Sequence, residues 1–357
     1  VDGGFVNCSF DDIRVICSEN LNSYYIGGVA GYVSAASSNY LVSDETTINA
    51  KNIEVTGFQT VGGLFGYGEN KTSDSIEKAV NHIVADNITV KGSRTVGGIV
   101  GAGSPILRDL KASHLNVMGD YVTGGITGYT YSFIRDVVFN DSTVKGKYMT
   151  GGVAGNAGHV NGIVMNNIDV TGGNMTGGFS GSTSYNKIRS ASASDITVTG
   201  IQMDYSKLED YQVTQINKDG FILDGSNVGL VEGYVNTTSS TEVLSSIFDN
   251  CTVRGTNNIG GLYGYVNLAS VNRVYTNIDV IGGYLPEDGY NIPGLDIGKN
   301  IGGIIGYTAS TNKDNDINLR YIVVQGSVKG NEFVGGISGY TEVDPEKYSG
   351  FNPEPYN

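Results

Sequence analysis

A six-residue phrase built on three glycines recurs throughout this chain and limits its possible folds more than any other feature. The phrase first occurs as IGGVAG at 26–31, then as VGGLFG at 61–66 and VGGIVG at 96–101. Its first glycine lies at ten positions, which are 27, 62, 97, 124, 151, 177, 229, 260, 302 and 335. Ten copies of one phrase indicate a repeat architecture, in which each unit packs mainly on its neighbours.

The residues that flank the glycine pair predict a strand with an interruption. The residue before the pair is β-branched in every copy, and the residue after it is always apolar. β-Branched side chains favour strands over helices. We predict that the apolar residue points inward and that the variable residue after it, such as Phe65, Thr127 or Glu232, points outward. Two inward residues three apart require a bend or bulge at the glycine pair, where glycine permits a positive φ.

A second phrase precedes most copies and alternates with a period of two. It reads NIEVTG at 52–57 and NITVKG at 87–92. This alternation is typical of a half-buried strand that ends in a turn. A third apolar stretch lies before it, for example at 106–110 and 134–138. Each repeat therefore carries about three short strands.

The period and the constant phrase predict a parallel arrangement. The minimal period is 27 residues, from Gly101 to Gly128 and again to Gly155. Hairpins would reverse direction from copy to copy, whereas stacked coils place identical residues over one another. We predict an all-β fold, a right-handed parallel β-helix with about three short strands per coil of ~27 residues and eleven to thirteen coils. One solenoid domain spans 1–357, with an irregular N-terminal cap at 1–25 and a tail or linker at 341–357.

The charge and composition of the chain limit the kinds of molecule that can be its partners. The chain has 22 Lys and Arg against 36 Asp and Glu, a net charge of −14. Such a field repels phosphate backbones, so nucleic acid and anionic membranes are excluded as partners. No apolar run approaches the ~20 residues of a membrane span, so no membrane insertion is expected. The chain starts without an initiator Met or signal peptide, which indicates a monomeric segment of a larger chain.

Three cysteines do not make a disulfide framework. They are Cys8, Cys17 and Cys251. Cys8 and Cys17 are close enough in sequence to pair and would leave one thiol over. At this density, buried free thiols are the favoured interpretation.

Two insertions interrupt the repeat at one corner of the coil. Seven residues separate the strand Val from the next glycine pair in most copies, but 31 separate Val198 from Gly229 and 22 separate Val280 from Gly302. The insertions, at 199–227 and 283–300, are rich in tyrosine and acidic residues, a composition common on recognition loops. The alternative is a surface insertion that the solenoid merely tolerates. Candidate partner-binding residues are Tyr205, Asp210, Tyr211, Phe221, Tyr284, Asp288 and Tyr290.

A tyrosine follows the third glycine in seven of the ten copies. Parity places it on the outer face, where equivalent rings of successive coils would stack. Such a stripe could bind sugar rings or a partner protein, although stacking between strands explains it without any ligand.

The chain offers no catalytic constellation. Its three histidines are isolated on strand-like segments, and zinc hydrolysis on a helix needs two of them one turn apart. We expect no catalytic residue, no cofactor and no resident metal. Asp314, Asp316 and Asn318 alternate as oxygen ligands do in a calcium loop, but the glycine and the distal glutamate are missing, so they are weak metal candidates. The alternative from another class is a polysaccharide lyase or glycosidase, because parallel β-helices host both.

The phrase with its G-L-x-G core, at 63–66 and 261–264, resembles the GLUG repeats of bacterial surface proteins. Similar repeats occur in the N-terminal region of IgA-specific zinc metalloendopeptidases of Gram-positive bacteria. The resemblance implies a secreted or cell-surface location and an accessory role beside a zinc protease, as a rigid spacer that recognises a host glycoprotein or glycan. The H-E-x-x-H peptidase motif is absent, so no catalytic residue carries over. An adhesin module with no attached enzyme is the remaining alternative.

Overall fold

Parallel strands stacked in register build an all-β, solenoid-like chain. The structure is a computed structural model that describes residues 5, 7–18, 23–35, 47–70, 79–183, 187–204, 222–237, 240–287, 289–309 and 317–342. Within these ranges there is no helix, and the paired strands run parallel. None of the described segments forms a helix that could cross a bilayer.

The strands form three sheets, and the chain visits them in turn. Sheet 1 has twelve strands: β1 (Cys8–Ile16), β4 (Ile48–Thr56), β7 (Ala79–Lys91), β10 (Ile106–Met118), β13 (Phe133–Lys145), β16 (His159–Gly172), β19 (Lys187–Arg189), β20 (Ser192–Gly200), β23 (Thr241–Gly255), β26 (Ala269–Gly282), β29 (Ile317–Gln325) and β30 (Val328–Lys329). Sheet 2 has ten: β2 (Ile26–Gly27), β5 (Thr60–Gly62), β8 (Thr95–Gly97), β11 (Val122–Gly124), β14 (Met149–Gly151), β17 (Asn174–Gly177), β21 (Ser226–Gly229), β24 (Ile259–Gly260), β27 (Lys299–Gly302) and β31 (Glu332–Gly335). Sheet 3 has ten: β3 (Ala30–Ala35), β6 (Phe65–Asn70), β9 (Val100–Gly103), β12 (Thr127–Thr130), β15 (Ala154–Asn156), β18 (Ser180–Thr183), β22 (Glu232–Val235), β25 (Tyr263–Val266), β28 (Ile305–Thr308) and β32 (Ser338–Thr341).

Equivalent residues of successive coils lie over one another, as the repeat predicts. Gly97, Gly124 and Gly151, the first glycines of three copies, are register partners in sheet 2. Sheets 2 and 3 each have ten strands, so the described chain makes ten coils rather than the eleven to thirteen that its length suggests. The shortfall arises because the insertions and long corner segments take up residues without adding a coil.

The boundaries of the three strands in each coil differ from the predicted boundaries. The two apolar stretches before the glycine phrase fuse into one strand of sheet 1, which in β10 has 13 residues. Asp109 and His114 in β10 have φ values of 51° and 52°, and each shifts the alternation so that both stretches face inward. The predicted alternation within the second phrase is confirmed, since Ile53 and Val55 are buried.

The glycine phrase itself forms the corner between sheets 2 and 3, and its glycines have a different role from the one predicted. A strand of sheet 2 ends at the first glycine, a bend of two residues follows, and a strand of sheet 3 begins three residues after that glycine. No glycine of the phrase in the described copies has a positive φ. What excludes a side chain is the close approach of backbones: a Cβ on Gly98 would overlap the carbonyl oxygen of Gly125 and lie 2.8 Å from Leu115 Cδ1. The predicted bend is present, but its expected backbone conformation is wrong.

The variable residue after the bend points inward, contrary to the prediction. Phe65 is 2% exposed, Thr127 1% and Glu232 0%. The bend between the two sheets turns both this residue and the apolar one before it, such as Leu64, toward the core. Glu232 is register partner of Tyr263, and burial, followed by the Glu232 charge, raises the pKa of that tyrosine.

The N-terminal region is more regular than predicted, and the cysteines form no disulfide. Cys8–Ile16 is a full strand that pairs in parallel with β4, so part of the expected irregular cap at 1–25 belongs to sheet 1. Cys8, Cys17 and Cys251 form no disulfide, and of the three only Cys251 is buried as predicted, since Cys8 and Cys17 are half-buried. Burial raises the pKa of Cys251 to about 12. Residues 343–357 of the predicted tail lie outside the described residues.

Candidate functional site: an asparagine and tyrosine groove

A groove of about 430 Å³ lies where the strands of sheet 2 begin, beside tyrosines of the neighbouring strands of sheet 3. This volume falls within the range of small-ligand sites. Sheet 2 contributes amide side chains and sheet 3 contributes tyrosines. The groove is lined by Asn174, Ile222, Asp224, Ser226, Asn227, Tyr234, Asn257, Asn258, Tyr265, Lys299 and Asn300.

An asparagine ladder forms the sheet 2 wall of the groove. Asn300 Nδ2 donates to Asn258 Oδ1 at 2.8 Å, and Asn258 Nδ2 donates to Asn227 Oδ1 at 2.9 Å. Asn227 Nδ2 donates in turn to Asn174 Oδ1 at 2.9 Å. Asparagine suits these places for two reasons. Its amide both donates and accepts, and it tolerates the positive φ of 53° to 60° found at Asn227, Asn258 and Asn300.

The asparagine ladder ends at the buried carboxylate of Asp224, and this carboxylate determines the direction in which the amides donate. Asn174 Nδ2 donates to Asp224 Oδ1 at 3.1 Å, and Ser226 donates to the same carboxylate from its backbone nitrogen and its hydroxyl. Because an ionised carboxylate only accepts, every amide of the ladder must donate toward Asp224. Burial raises the pKa of Asp224, while the hydrogen bonds from Ser226 and Asn174 act in the opposite direction. Asp224 therefore anchors the ladder.

Stacked tyrosines form the opposite wall. The ring centroids of Tyr234 and Tyr265 are 4.5 Å apart, those of Tyr265 and Tyr307 5.3 Å, and those of Tyr307 and Tyr340 5.4 Å. The predicted aromatic ladder is thus confirmed. Because the faces of the rings within the stack contact one another, only the ring edges and hydroxyl groups of these tyrosines remain for a ligand to contact. Burial raises the pKa of Tyr234 and brings that of Tyr265 to about 12, which keeps these phenols neutral at physiological pH.

A lysine at the groove wall is held by two carboxylates. Lys299 Nζ lies 2.6 Å from Asp296 Oδ2 and 2.8 Å from Glu332 Oε2. Its hydrogen bonds, first to Asp296 and then to Glu332, raise the pKa of Lys299. The groove therefore carries no large excess of either charge, and neutral amides and phenols dominate its lining.

The two insertions meet beside the groove. Their roots contribute Ile222 and Asp224 from the first insertion and Lys299 from the second. The backbone nitrogen of Ile292 donates to Gln202 Oε1, which joins the second insertion to the root of the first. Both insertions thus lie at one corner of the coil.

The predicted partner-binding residues that are described do not line the groove. The guanidinium of Arg254 lies 4.4 Å from the Tyr284 ring centroid, so Tyr284 packs on the solenoid. Tyr290 is 43% exposed on the second insertion. The other candidates lie outside the described residues: Tyr205, Asp210, Tyr211, Phe221 and Asp288.

The weak metal candidates are not brought into a site that the structure describes. Asn318 lies in β29 and is register partner of Ser270. Asp314 and Asp316 lie outside the described residues. Within the part of the chain that is described, no group of three or more His, Cys, Asp or Glu side chains is placed to hold a metal ion.

Sequence reasoning missed the asparagines, although the sequence contains a signal for them. An asparagine stands two residues before the first glycine in three consecutive copies, NVGLVEGY at 227–234, NIGGLYGY at 258–265 and NIGGIIGY at 300–307. Each of these copies also has the tyrosine, always seven residues after the asparagine. The recurrence of both residue types in the same copies marks the coils that build the groove.

Comparison with known proteins does not assign the chain. No protein-family model matches it, and neither a curated protein nor a solved structure is significantly similar to it. The resemblance to GLUG repeats therefore stays a prediction that rests on the quoted motifs.

Proposed function

We propose that this chain is a non-catalytic recognition module that binds a glycan, free or on a host glycoprotein, in the asparagine and tyrosine groove. The observation that carries the proposal is the groove itself, in which three successive coils supply the amides of Asn227, Asn258 and Asn300, and two of them also supply the phenols of Tyr234 and Tyr265. The scaffold we propose for it is a right-handed parallel β-helix, the hand that parallel strand crossovers almost always adopt.

The chemistry of the groove suits a polyhydroxylated ligand. Amides and neutral phenols both donate and accept, as sugar hydroxyls do. Because equivalent groups recur at the coil spacing of about 4.8 Å, an extended ligand along the groove would meet an amide in each of three coils and a phenol in two of them. That spacing is close to the length that one pyranose unit adds to an extended β-linked chain. Since the ring faces are stacked, recognition would proceed mainly through hydrogen bonds.

The location and the parent protein belong to the same proposal. A rod of stacked coils is suited to hold a binding site away from a surface, which supports a role as spacer in a secreted or cell-surface protein. The attached activity would be a zinc metalloendopeptidase, as the GLUG resemblance implies, or none, as in an adhesin. The net charge of −14 disfavours nucleic acid and anionic membranes as partners.

A polysaccharide-active enzyme is the second candidate, because the groove contains Asp224, a carboxyl whose pKa burial raises. A raised pKa is what a general acid requires. However, both Asp224 oxygens accept hydrogen bonds from Ser226 or Asn174, which suits an anchor better than a proton donor. We therefore favour binding without catalysis.

Tyr265→Leu tests the groove against a matched control. Tyr67 occupies the same place in the phrase and stacks on Tyr32 with centroids 5.7 Å apart, but it lies outside the groove. We expect an array of neutral glycans to identify a ligand whose affinity falls at least about tenfold in Tyr265→Leu, about 1.4 kcal/mol, and stays unchanged in Tyr67→Leu.

Equal losses in both tyrosine variants, or no glycan bound by the folded wild type, would contradict the binding site. Release of reducing sugar by the wild type, abolished in Asp224→Asn, would instead establish the enzyme.

A further inference from the structure

A second pocket lies on the outer face of sheet 1, on strands that do not line the groove. Its volume is about 280 Å³. It opens where β13, β16 and β19 begin. It is lined by Phe133, Arg135, His159, Val160, Asn161, Lys187 and Arg189.

The stacking of coils concentrates basic groups in this pocket. Arg135, Asn161 and Arg189 are successive register partners in one row. Phe133, His159 and Lys187 are successive partners in the row two residues earlier, which lies on the same face of the sheet. Three permanent cations and a histidine therefore converge in a chain whose net charge is −14.

Carboxylate pairing among the described residues accounts for Arg189 but not for Arg135. Glu242 Oε1 lies 2.8 Å from Arg189 Nε and neutralises one cation. Arg135 lies over the Phe133 ring, 5.7 Å from its centroid, and forms no ion pair with any carboxylate among the described residues. Its Nε is enclosed and has no hydrogen-bond partner there. Burial, and then the charges of Lys187 and Arg189, lower the pKa of His159.

We propose that this pocket binds a single oxyanion, a sulfate or carboxylate group, carried by an otherwise neutral saccharide. Guanidinium groups bind such anions through paired N–H donors, and Lys187 and Asn161 add further donors. The Phe133 and His159 rings, stacked with centroids 4.7 Å apart, supply an apolar wall for the carbon skeleton of the ligand. Because the rest of the chain is acidic, an extended polyanion would be repelled.

Titration with sodium sulfate, glucuronate and a highly sulfated polysaccharide separates the possible sources of the anion. Backbone NMR shifts and calorimetry would follow binding to the whole chain. We expect saturable binding of sulfate and tighter binding of glucuronate, because its ring can use the apolar wall. The polysulfated chain should bind no more tightly per anionic group than free sulfate.

Arg135→Gln and Lys187→Gln should each weaken glucuronate binding about tenfold, and Arg320→Gln should not change it. Arg320 is the control because it lies in the same row, reached from Arg189 through Leu244 and Asn272, but outside the pocket. A bound anion should also raise the pKa of His159, which faces Phe133, Lys187 and Arg189, because it stabilises the imidazolium.

Equal effects of the Arg135 and Arg320 variants would overturn the proposal, as would an unchanged His159 titration at saturating anion. A polyanion that binds far more tightly than glucuronate would overturn the single-anion assignment. Since the pocket and the groove share no lining residue, failure here leaves the proposed function untouched.

Discussion

Gly98 shows, at the scale of one residue, why the repeated phrase is so rich in glycine. It is the second glycine of its copy, and an added Cβ would overlap the carbonyl oxygen of Gly125 in the next coil. Gly336 occupies the same place in the last described coil, where a Cβ would meet nothing within 4 Å. Neither residue has a positive φ, so the two differ in packing rather than in backbone strain.

This contrast gives a direct prediction. Gly98→Ala should lower the free energy of unfolding by about 3 kcal/mol or more, because overpacking displaces a backbone that cannot rotate away. Gly336→Ala should change it by less than about 0.5 kcal/mol. Urea unfolding followed by circular dichroism measures both. Similar losses in the two variants would mean that the glycines serve flexibility instead of close approach.

Asp224 predicts how stability should depend on pH. Its folded pKa is raised above the ordinary value of about 3.9, mainly by burial. A carboxyl with a raised folded pKa contributes stability that is fully present below the unfolded pKa and is lost as pH rises through the folded pKa. Asp224→Asn should remove this contribution, because the amide has no proton to lose.

The measurement compares wild type with Asp224→Asn by urea unfolding between pH 3 and pH 7. We expect the wild type to lose stability relative to the variant as pH rises through this range. The reverse trend would show that the hydrogen bonds from Ser226 and Asn174 outweigh burial. Asp296→Asn is the control, because this exposed carboxyl does not contact the ladder anchor.

At the scale of the element, the asparagine ladder adds side-chain hydrogen bonds between four coils whose strands are already paired through their backbones. Asn258 donates to Asn227 and accepts from Asn300, so it is the central link. A second ladder on sheet 1 is exposed, with Asn87 Nδ2 donating to Asn52 Oδ1 at 2.7 Å. Asn87 and Asn258 share a φ of 53°. Glycine at either position removes the amide and keeps the backbone conformation, so the entropic cost of glycine is common to both variants.

Asn258→Gly should therefore destabilise the protein by about 1–2 kcal/mol more than Asn87→Gly, because the groove ladder loses partners that water replaces poorly. Thermal and urea unfolding of the two variants provide the comparison. If Asn87→Gly costs as much, the groove is wet enough for water to replace the amide, and the ladder contributes shape rather than stability.

Element by element, the sequence was informative where a pattern has only one physical cause. The alternation at Ile53 and Val55 requires one buried face, and the recurrence of the phrase requires stacking. The inward turn of Phe65 and Glu232 was not predictable, because it depends on the angle at which sheets 2 and 3 meet. The seven-residue spacing between Asn258 and Tyr265 is visible in the sequence. Only the fold shows that both side chains line one groove.

At the scale of the whole molecule, the stacking of coils places equivalent residues next to one another in rows. Side chains of one chemical type therefore collect along a row and form a site there. Strands β17, β21, β22, β25 and β27 of sheets 2 and 3 line the neutral groove, and the first residues of β13, β16 and β19 in sheet 1 line the basic pocket. Composition alone, with its net charge of −14, does not reveal either site. The fold class followed from the period. The sites followed only from knowing which coils carry departures from the repeat.

Shortening the insertion at 199–227 tests whether the stacked coils fold and bind without it. Its described ends are joined: Gln202 and Asp224 form an antiparallel bridge, and Met203 N donates to Leu223 O at 2.9 Å. A two-residue Asn-Gly turn in place of residues 205–221 can close such a hairpin. We expect the free energy of unfolding to change by less than about 1 kcal/mol, because loop shortening is inexpensive when the ends stay paired.

The same variant locates the ligand. Every described groove-lining residue is retained, so affinity for the glycan found with the wild type should stay within about threefold. Tyr265→Leu in the shortened chain should again weaken binding at least about tenfold. A folded variant that no longer binds would place the recognition surface on the insertion itself, where Tyr205, Asp210, Tyr211 and Phe221 lie, and would contradict the groove as the site.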